Sequence, residues 1–249
     1  MLYHSMTLEK KALVEANNLT DKQLQDFYQE LSKIPTQMAP INGQEAVLCF
    51  KFMEDTGCRV NETIHIKKQD VNFRARILTV MFPKSETRCK CSTWRHRDLY
   101  SKGWVLDSAD NNCKQCHGKG KWKQPQHTTI TPRLIDELKT YCDGLKDDQY
   151  LFPVTRKTLW KWGKKAGVNA NINIFQQKKQ KLIEGIFLHL FRALCSKRTI
   201  SDAMSDPYKD QLVACKLRHS FASVTDRYTK IDINYLWSWE EGKYGHKKE

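Results

Sequence analysis

Long hydrophobic runs are missing from this 249-residue chain. Its most apolar stretch, around Ile186 to Phe191, falls far short of the roughly 20 residues that cross a bilayer and already contains His189, which excludes a membrane-spanning helix. The first residues, MLYHSMTLEKK, lack the apolar core and the small-residue cleavage site of a secretory signal. No internal repeat is present. Acidic residues are scarce beside basic ones: 28 Asp plus Glu face 42 Lys plus Arg, a net charge of +14. Such an excess attracts polyanions, DNA or RNA first among them, although a lysine-rich solubilising surface gives the same composition. With 40% apolar residues the chain can fill the core of one large domain or two small ones, which excludes general disorder.

Local signals mark the elements. Thr20 followed by Gln23 forms a capping box that opens an amphipathic helix with Leu24, Phe27 and Leu31 on one face, stopping near Pro35. A second helix is expected from about Gln44 to Glu54, ending at Gly57. Ile64, Ile66, Val71 and the run Ile77 to Phe82 suit short strands. Helical signals resume at Thr131, an N-cap ahead of Pro132. Further helices are expected from Thr155 to Ala166 with Gly167 as the stop, from Leu182 to Leu194, and from Tyr208 to Leu217. The tail after Tyr228, with Tyr235, Leu236, Trp237 and Trp239, is too aromatic for a solvated linker. It packs on its own domain or reaches a neighbouring protomer.

Nine cysteines, an odd number in a chain with long helical patterns, speak for a reducing compartment with some thiols on a metal rather than a disulfide-stapled secreted protein. From Arg88 to His127 the sequence loses periodicity and reads as a Cys-rich insertion. There Cys89-x-Cys91 and Cys113-x-x-Cys116 form two close pairs with 21 residues between them. Two such knuckles meeting head to head put four thiolates around a tetrahedral Zn, at about 2.3 Å each. With every coordination position filled by protein, that Zn is structural and not catalytic. Four unrelated thiols are the alternative reading, His96 and His117 are substitute ligands, and Gly118 permits the tight turn. Around the cysteines lie Lys90, Arg95, Arg97, Lys102, Lys114, Lys119, Lys121 and Lys123, interleaved with Trp94, Trp104 and Trp122. Cations among aromatics suit a phosphate-contacting surface. Tryptophans that form the module's small core, under a skin of solvated lysines, account for the same pattern.

Three short signals occur in a telling order. TGCRVNE, from Thr56 to Glu62, carries Arg59 and Glu62. HLFR carries His189 and Arg192, three apart and so on one helical face. LRHSFASVTDRY carries His219 and Tyr228. Eight His and twelve Arg in 249 positions give about 0.4 chance occurrences of H-x-x-R, so each signal is weak alone and the order is what informs.

In that order the chain resembles the catalytic domain of the tyrosine recombinases, the phage and archaeal integrase family, over roughly residues 38 to 230. The resemblance implies an α+β fold, mainly helical, with a small antiparallel sheet, here carrying an inserted zinc-knuckle module. It matches Arg59 to the arginine after a TG turn, Glu62 to the acid that orients its basic neighbours, and Lys84 in VMFPKSE to the hairpin lysine that protonates the leaving 5′ oxygen. Lys90, Lys121 and Lys123 are fallbacks for that lysine, because the insertion falls just after Lys84. His189 and Arg192 match the H-x-x-R box, with His189 as general base, His219 the later phosphate-binding histidine, and Tyr228 the nucleophile. LFPVTRKTLWKWGKKAG also resembles the stretch ahead of that box. The family's usual glycine before the second histidine is replaced by Arg218, which asks that turn to manage without φ > 0.

Elementary chemistry agrees with these roles. Breaking a phosphodiester without a catalytic metal or ATP needs cations for the charge on the equatorial oxygens, and Arg59 and Arg192 each present a planar fork. A tyrosyl phosphodiester conserves the bond energy for rejoining, and clustered cations favour the ionised phenol. Nine residues span half a turn of phase on a helix, so the chain must break between His219 and Tyr228. SFASVTD, with Ser and Thr as fresh N-caps, is a plausible place.

The expectation is therefore a site-specific recombinase or integrase acting on double-stranded DNA, assembling as a tetramer on synapsed sites. Lys119, Lys121, Lys123, Lys178, Lys179 and Lys181 are candidate DNA contacts. Residues 1–36 form a short helical segment and 37–249 the catalytic domain, with 88–127 inserted. A cytoplasmic, nucleoid-associated location in a prokaryote or virus follows. A type IB-like topoisomerase and a catalytically silent DNA-binding regulator are the rivals.

Overall fold

The computed structural model describes residues 19–34, 40–81, 87–96, 104–123, 125–176, 181–186, 188–218 and 233–245. Its frame is helical. Helix α1 (Asp21–Ser32) opens with the expected capping box, in which Thr20 and Gln23 exchange bonds. Helix α2 (Gly43–Thr56) opens with a second box, Asn42 with Glu45, and closes on Gly57 at φ 63°. A single turn, α3 (Val60–Thr63), and a 3-10 turn (Lys68–Asp70) follow. Ile64 and Ile66 therefore lie between turns, not in strands, because the Arg59 to Thr63 hydrogen bonds claim this stretch for a helical turn.

Strands β1 (Val71–Asn72), β2 (Ile77–Val80) and β7 (Gln126–Thr129) form an antiparallel sheet in the order β1-β2-β7, with Ile77 opposite Thr129 and Val80 opposite Gln126. Since β2 and β7 pair directly, the chain between them leaves and re-enters the frame at one end of this ladder. Within it, β3 (Thr87–Arg88) pairs with β6 (Lys121–Trp122), and β4 (Ser92–His96) pairs with β5 (Trp104–Ala109). Gln126 and His127 already belong to the main sheet.

Helix α4 (Pro132–Cys142) has Thr131 as its N-cap, but the Thr131 hydroxyl donates to Asp55 and accepts no capping bond from the amides of its own helix. Buried Asp55 also accepts from the Thr131 amide at 2.9 Å, so an anion from α2 sits at the positive end of α4. Helix α5 (Arg156–Asn169) runs through Gly167 instead of stopping there. A Cβ on Gly167 would lie 2.6 Å from the Ile186 amide nitrogen, so this glycine permits close helix-to-hairpin approach. That hairpin, β8 (Asn173–Gln176) with β9 (Lys181–Glu184), replaces the start of the helix expected from Leu182. Helix α6 (His189–Asp202) begins only after it.

Helix α7 (Lys209–Lys216) and helix α8 (Ile233–Tyr244) complete the fold. The aromatic tail packs on its own chain. Arg76 lies over the Trp237 ring at 4.7 Å, Arg133 over Tyr244 at 4.1 Å, and Lys216 pairs with Glu240 at 2.6 Å. The core centres on Phe27, Phe50 and Phe191, whose ring centroids lie 4.9 to 5.7 Å apart and lock α1, α2 and α6 together. Each such pair contributes about 0.5–1.5 kcal/mol beyond its buried area. Among the described residues no helix is long and apolar enough to cross a membrane.

Candidate functional site: an arginine cluster and a four-cysteine knot

The site starts where α2 stops. Gly57 adopts the left-handed conformation that ends the helix, and its amide donates to the Met53 carbonyl. A Cβ there would stand 2.5 Å from Leu217 Cδ2 and 3.2 Å from Cys195 Sγ, so both backbone and packing require glycine. Two residues later Arg59 is the N-cap of α3. Glu62, at the third helical position, reaches back to the Arg59 amide through Oε2 and to Arg59 Nη1 through Oε1, both at 2.8 Å. The turn and its cap together fix where Arg59 leaves the backbone.

Arg192 comes from α6, 133 residues away in sequence, and meets this turn. Its side chain is buried and its guanidinium donates to the Gly57 carbonyl and to the Leu217 carbonyl. One side chain thus ties the turn carrying Arg59 to the turn at residues 217–218. Burial first, then the neighbouring Arg59 and Arg218 cations, pull Arg192 down to about 10, which still leaves it protonated at neutral pH. Arg218 completes the cluster, donating to Glu62 Oε2 at 2.7 Å and to the Thr56 carbonyl at 3.3 Å. Glu62 is held below the ordinary carboxylate value: burial pushes it up, and Arg218 leads the contacts that bring it down, followed by Arg59. Burial raises the Cys58 thiol beside them. Three guanidiniums face one carboxylate, which leaves a fixed positive excess of the kind that holds a phosphate.

Of the expected catalytic set, Arg59, Glu62 and Arg192 converge. His189 sits one turn before Arg192 as the exposed first residue of α6. Lys84, His219 and Tyr228 lie outside the described residues, although Arg218 immediately precedes His219 in the chain. Arg218 itself belongs to the cluster and was not among the expected site residues. The expectation for its turn is also corrected. Arg218 adopts φ 56°, the conformation a glycine would take, held there by its bonds to Glu62 and the Thr56 carbonyl. Its adjacency to His219 at a position where the resembling family has glycine was the signal available in the sequence.

The four insertion cysteines meet. Sγ atoms of Cys89, Cys91, Cys113 and Cys116 all lie within 4.8 Å of one another, with Cys89 to Cys113 at 3.5 Å and Cys91 to Cys116 at 3.4 Å. A tetrahedral ion with sulfur ligands near 2.3 Å has edges of about 3.8 Å, which falls between the two shortest pairs and the 4.8 Å that bounds the group, so the four sulfurs are spaced to suit a metal. The Cys89 amide donates to the Gly120 carbonyl at 2.9 Å, and Gly118 and Gly120 take φ of 77° and 66° to close the knuckle. Backbone amides of Cys116 and Gln115 pull the Cys113 thiol down to about 7, toward the thiolate a metal requires. His117 is exposed and stands outside this four-sulfur group.

Lys90, Lys114, Lys119, Lys121 and Lys123 are all exposed on the insertion. Lys181 lies on β9. Lys178 and Lys179 fall outside the described residues, as do Arg97 and Lys102.

Fold and site together place a cluster of arginines around one glutamate on an α+β frame, accompanied by a four-cysteine group of a size that suits a metal ion. No known family profile matches the chain, and no curated protein matches its sequence. Among solved structures it is similar to the Tn1549 transposon integrase in complex with transposon right end DNA, with 14% identity, 92% of this chain and 66% of that chain covered, and a TM-score of 0.47. It is also similar to XerA recombinase, with 16% identity, coverage of 92% and 65%, and a TM-score of 0.44. A third likeness is to XerH site-specific recombinase bound to palindromic difH substrate in a post-cleavage complex, with 16% identity, coverage of 90% and 52%, and a TM-score of 0.46. The chain spans between about half and two thirds of the length of these solved chains.

Proposed function

We propose that this chain is a site-specific DNA recombinase of the tyrosine recombinase type, with residues 37–249 as its catalytic domain, 88–127 as an inserted metal module and 1–36 as a short leading segment. The observation that carries the reading is the convergence of Arg59, Glu62 and Arg192 on the turn that leads directly into His219 and, nine residues later, Tyr228. Arg59 and Arg192 bind the non-bridging oxygens of one scissile phosphate and stabilise the charge that builds there. Tyr228 Oη gives up its proton to His189 and attacks phosphorus, forming a 3′-phosphotyrosyl bond as the bond to the 5′ oxygen breaks. Lys84 hands that oxygen a proton, and His219 hydrogen-bonds the phosphate. Attack by the 5′ hydroxyl of a partner strand then releases Tyr228 and rejoins the DNA. These steps use neither ATP nor a catalytic metal.

A zinc ion held by Cys89, Cys91, Cys113 and Cys116 supplies a cross-link to a segment too poor in aliphatics to make its own core. Lys119, Lys121, Lys123, Lys178, Lys179 and Lys181 contact duplex phosphates beside the site. Exchange of strands through a Holliday junction calls for four protomers on two synapsed duplexes, in a nucleoid-associated setting.

The test is a suicide duplex carrying a nick beside the cleavage position. Wild type accumulates a covalent protein–DNA adduct and Tyr228→Phe does not. An adduct that persists in Tyr228→Phe overturns the assignment. Relaxation of supercoils without strand exchange selects a type IB-like topoisomerase, and tight duplex binding without any adduct selects a silent DNA-binding regulator.

A further inference from the structure

Arg218 is the one cation of the cluster for which the reaction above has no role. Two costs attach to it. Its backbone is left-handed at φ 56°, a conformation that crowds the Cβ of any residue other than glycine. Its Nε is buried without a hydrogen-bond partner among the described residues. Strain beside a functional site persists where the surrounding structure holds it for a purpose. Direct contact with a phosphate is not that purpose: the Arg218 side chain is 2% exposed and its charge is paired with the equally buried Glu62 carboxylate, whereas Arg59 is 30% exposed and the buried Arg192 guanidinium donates to the neutral Gly57 and Leu217 carbonyls.

Resting on the recombinase reading, we propose that Arg218 is a positioning residue: it fixes the Glu62 carboxylate so that Glu62 in turn holds Arg59 toward the scissile phosphate. Glu62 is itself 2% exposed on its side chain, so its charge survives only against paired cations. Oε1 serves Arg59 Nη1, and Oε2 is shared between the Arg59 amide and Arg218 Nη2. Arg218 also grips the Thr56 carbonyl, one residue before the glycine whose carbonyl holds Arg192. The neighbouring Leu217 carbonyl takes the other end of the Arg192 fork. The 217–218 turn therefore orients both phosphate-binding arginines, Arg192 through a backbone carbonyl and Arg59 through the Arg218–Glu62 pair. Among the described residues, the charged and titratable groups facing Glu62 are Arg59, Arg192, Arg218 and Cys58. With Arg218 removed, burial works against a carboxylate left with fewer cations, so Glu62 takes up a proton at higher pH and its grip on Arg59 weakens.

The experiment compares Arg218→Gly, Arg218→Lys, Glu62→Gln and the double variant Arg218→Gly with Glu62→Gln. Gly suits the left-handed backbone, and Lys keeps a charge should Gly fail to fold. Duplex binding and cleavage of the nicked duplex are measured from pH 5 to 9. Arg218→Gly is expected to bind duplex within about threefold of wild type, to cleave 10- to 100-fold more slowly, and to lose activity on the acid side at a higher pH than wild type. Arg218→Lys recovers part of the rate. In the Glu62→Gln background, Arg218→Gly costs less than threefold more, because the path from Arg218 to Arg59 is already cut. Full additivity of the two substitutions, or an Arg218→Gly enzyme with wild-type rate and an unmoved acid limb, overturns the proposal. Should wild type give no adduct, the recombinase reading fails. The Arg218–Glu62 coupling is then read from thermal unfolding of the same four variants against pH, where an unchanged acid limb in Arg218→Gly refutes it.

Discussion

Lys216→Met is the perturbation whose size follows most directly from the structure. The Lys216 side chain is 3% exposed and spends its donors on Glu240 Oε1 at 2.6 Å, the Thr129 carbonyl at 3.0 Å and Thr129 Oγ1 at 3.1 Å. The second Glu240 oxygen has no partner among the described residues. Removing the lysine leaves a buried carboxylate without its cation, at a cost of about 3–5 kcal/mol. Against a total stability of about 5–15 kcal/mol this is large. For a chain of this size it lowers Tm by roughly 6–20 °C. Replacing both partners with Met and Leu of similar volume recovers most of the loss, since an apolar pair does not carry the desolvation penalty. The pH dependence has a definite sign. Burial raises Glu240 above the ordinary carboxylate value even with Lys216 present. Without the lysine, Glu240 takes up its proton on folding at still higher pH, so the deficit of Lys216→Met shrinks as pH falls from 8 to 5. Urea unfolding at several pH values reads all three outcomes. A loss below 1 kcal/mol at pH 7, a loss independent of pH, or a double variant as unstable as the single one refutes the reasoning. On the proposed recombinase reading the pair bears on function, because Lys216 and Glu240 flank in sequence the stretch that carries His219 and Tyr228.

Further outcomes are expected at the site and in the insertion. Gly57→Ala forces a Cβ into Leu217 at a left-handed position and is expected to cost about 2–5 kcal/mol in equilibrium unfolding. Arg192→Lys keeps a charge but cannot span the Gly57 and Leu217 carbonyls together, so cleavage of the nicked duplex falls about 10²–10³-fold while duplex binding changes little. Cys113→Ser with Cys116→Ser should abolish metal content measured by elemental analysis, from one zinc per wild-type chain, and expose the insertion to limited proteolysis. Changing Lys119, Lys121 and Lys123 to Ala should flatten the dependence of duplex affinity on salt by up to about 3 in log–log slope; an unchanged slope removes them from the interface.

What could be read in advance follows the range of the forces involved. The Thr20–Gln23 box, the Gly57 stop and the Thr131–Pro132 start are set by atoms within a few residues, and they stand where expected. The Leu182 to Leu194 stretch went to a strand and a later helix because a short apolar run suits either element, and only pairing with β8 decides. Gly167 looked like a helix stop because its reason is distant: the β8–β9 hairpin passes too close for a Cβ.

The same division runs through the site. The sequence by itself determined the arginine after the glycine turn with its capping glutamate, the H-x-x-R spacing and the two cysteine pairs, because each is a local pattern that chemistry demands within one turn or knuckle. Only the tertiary structure decided that Arg192 would bridge the Gly57 and Leu217 carbonyls, and that both cysteine pairs would close into one group. It alone turned Arg218 from a missing glycine into the partner of Glu62. Those contacts join residues from 22 to more than 150 positions apart, and no local pattern records a distance that only packing of the helices can close.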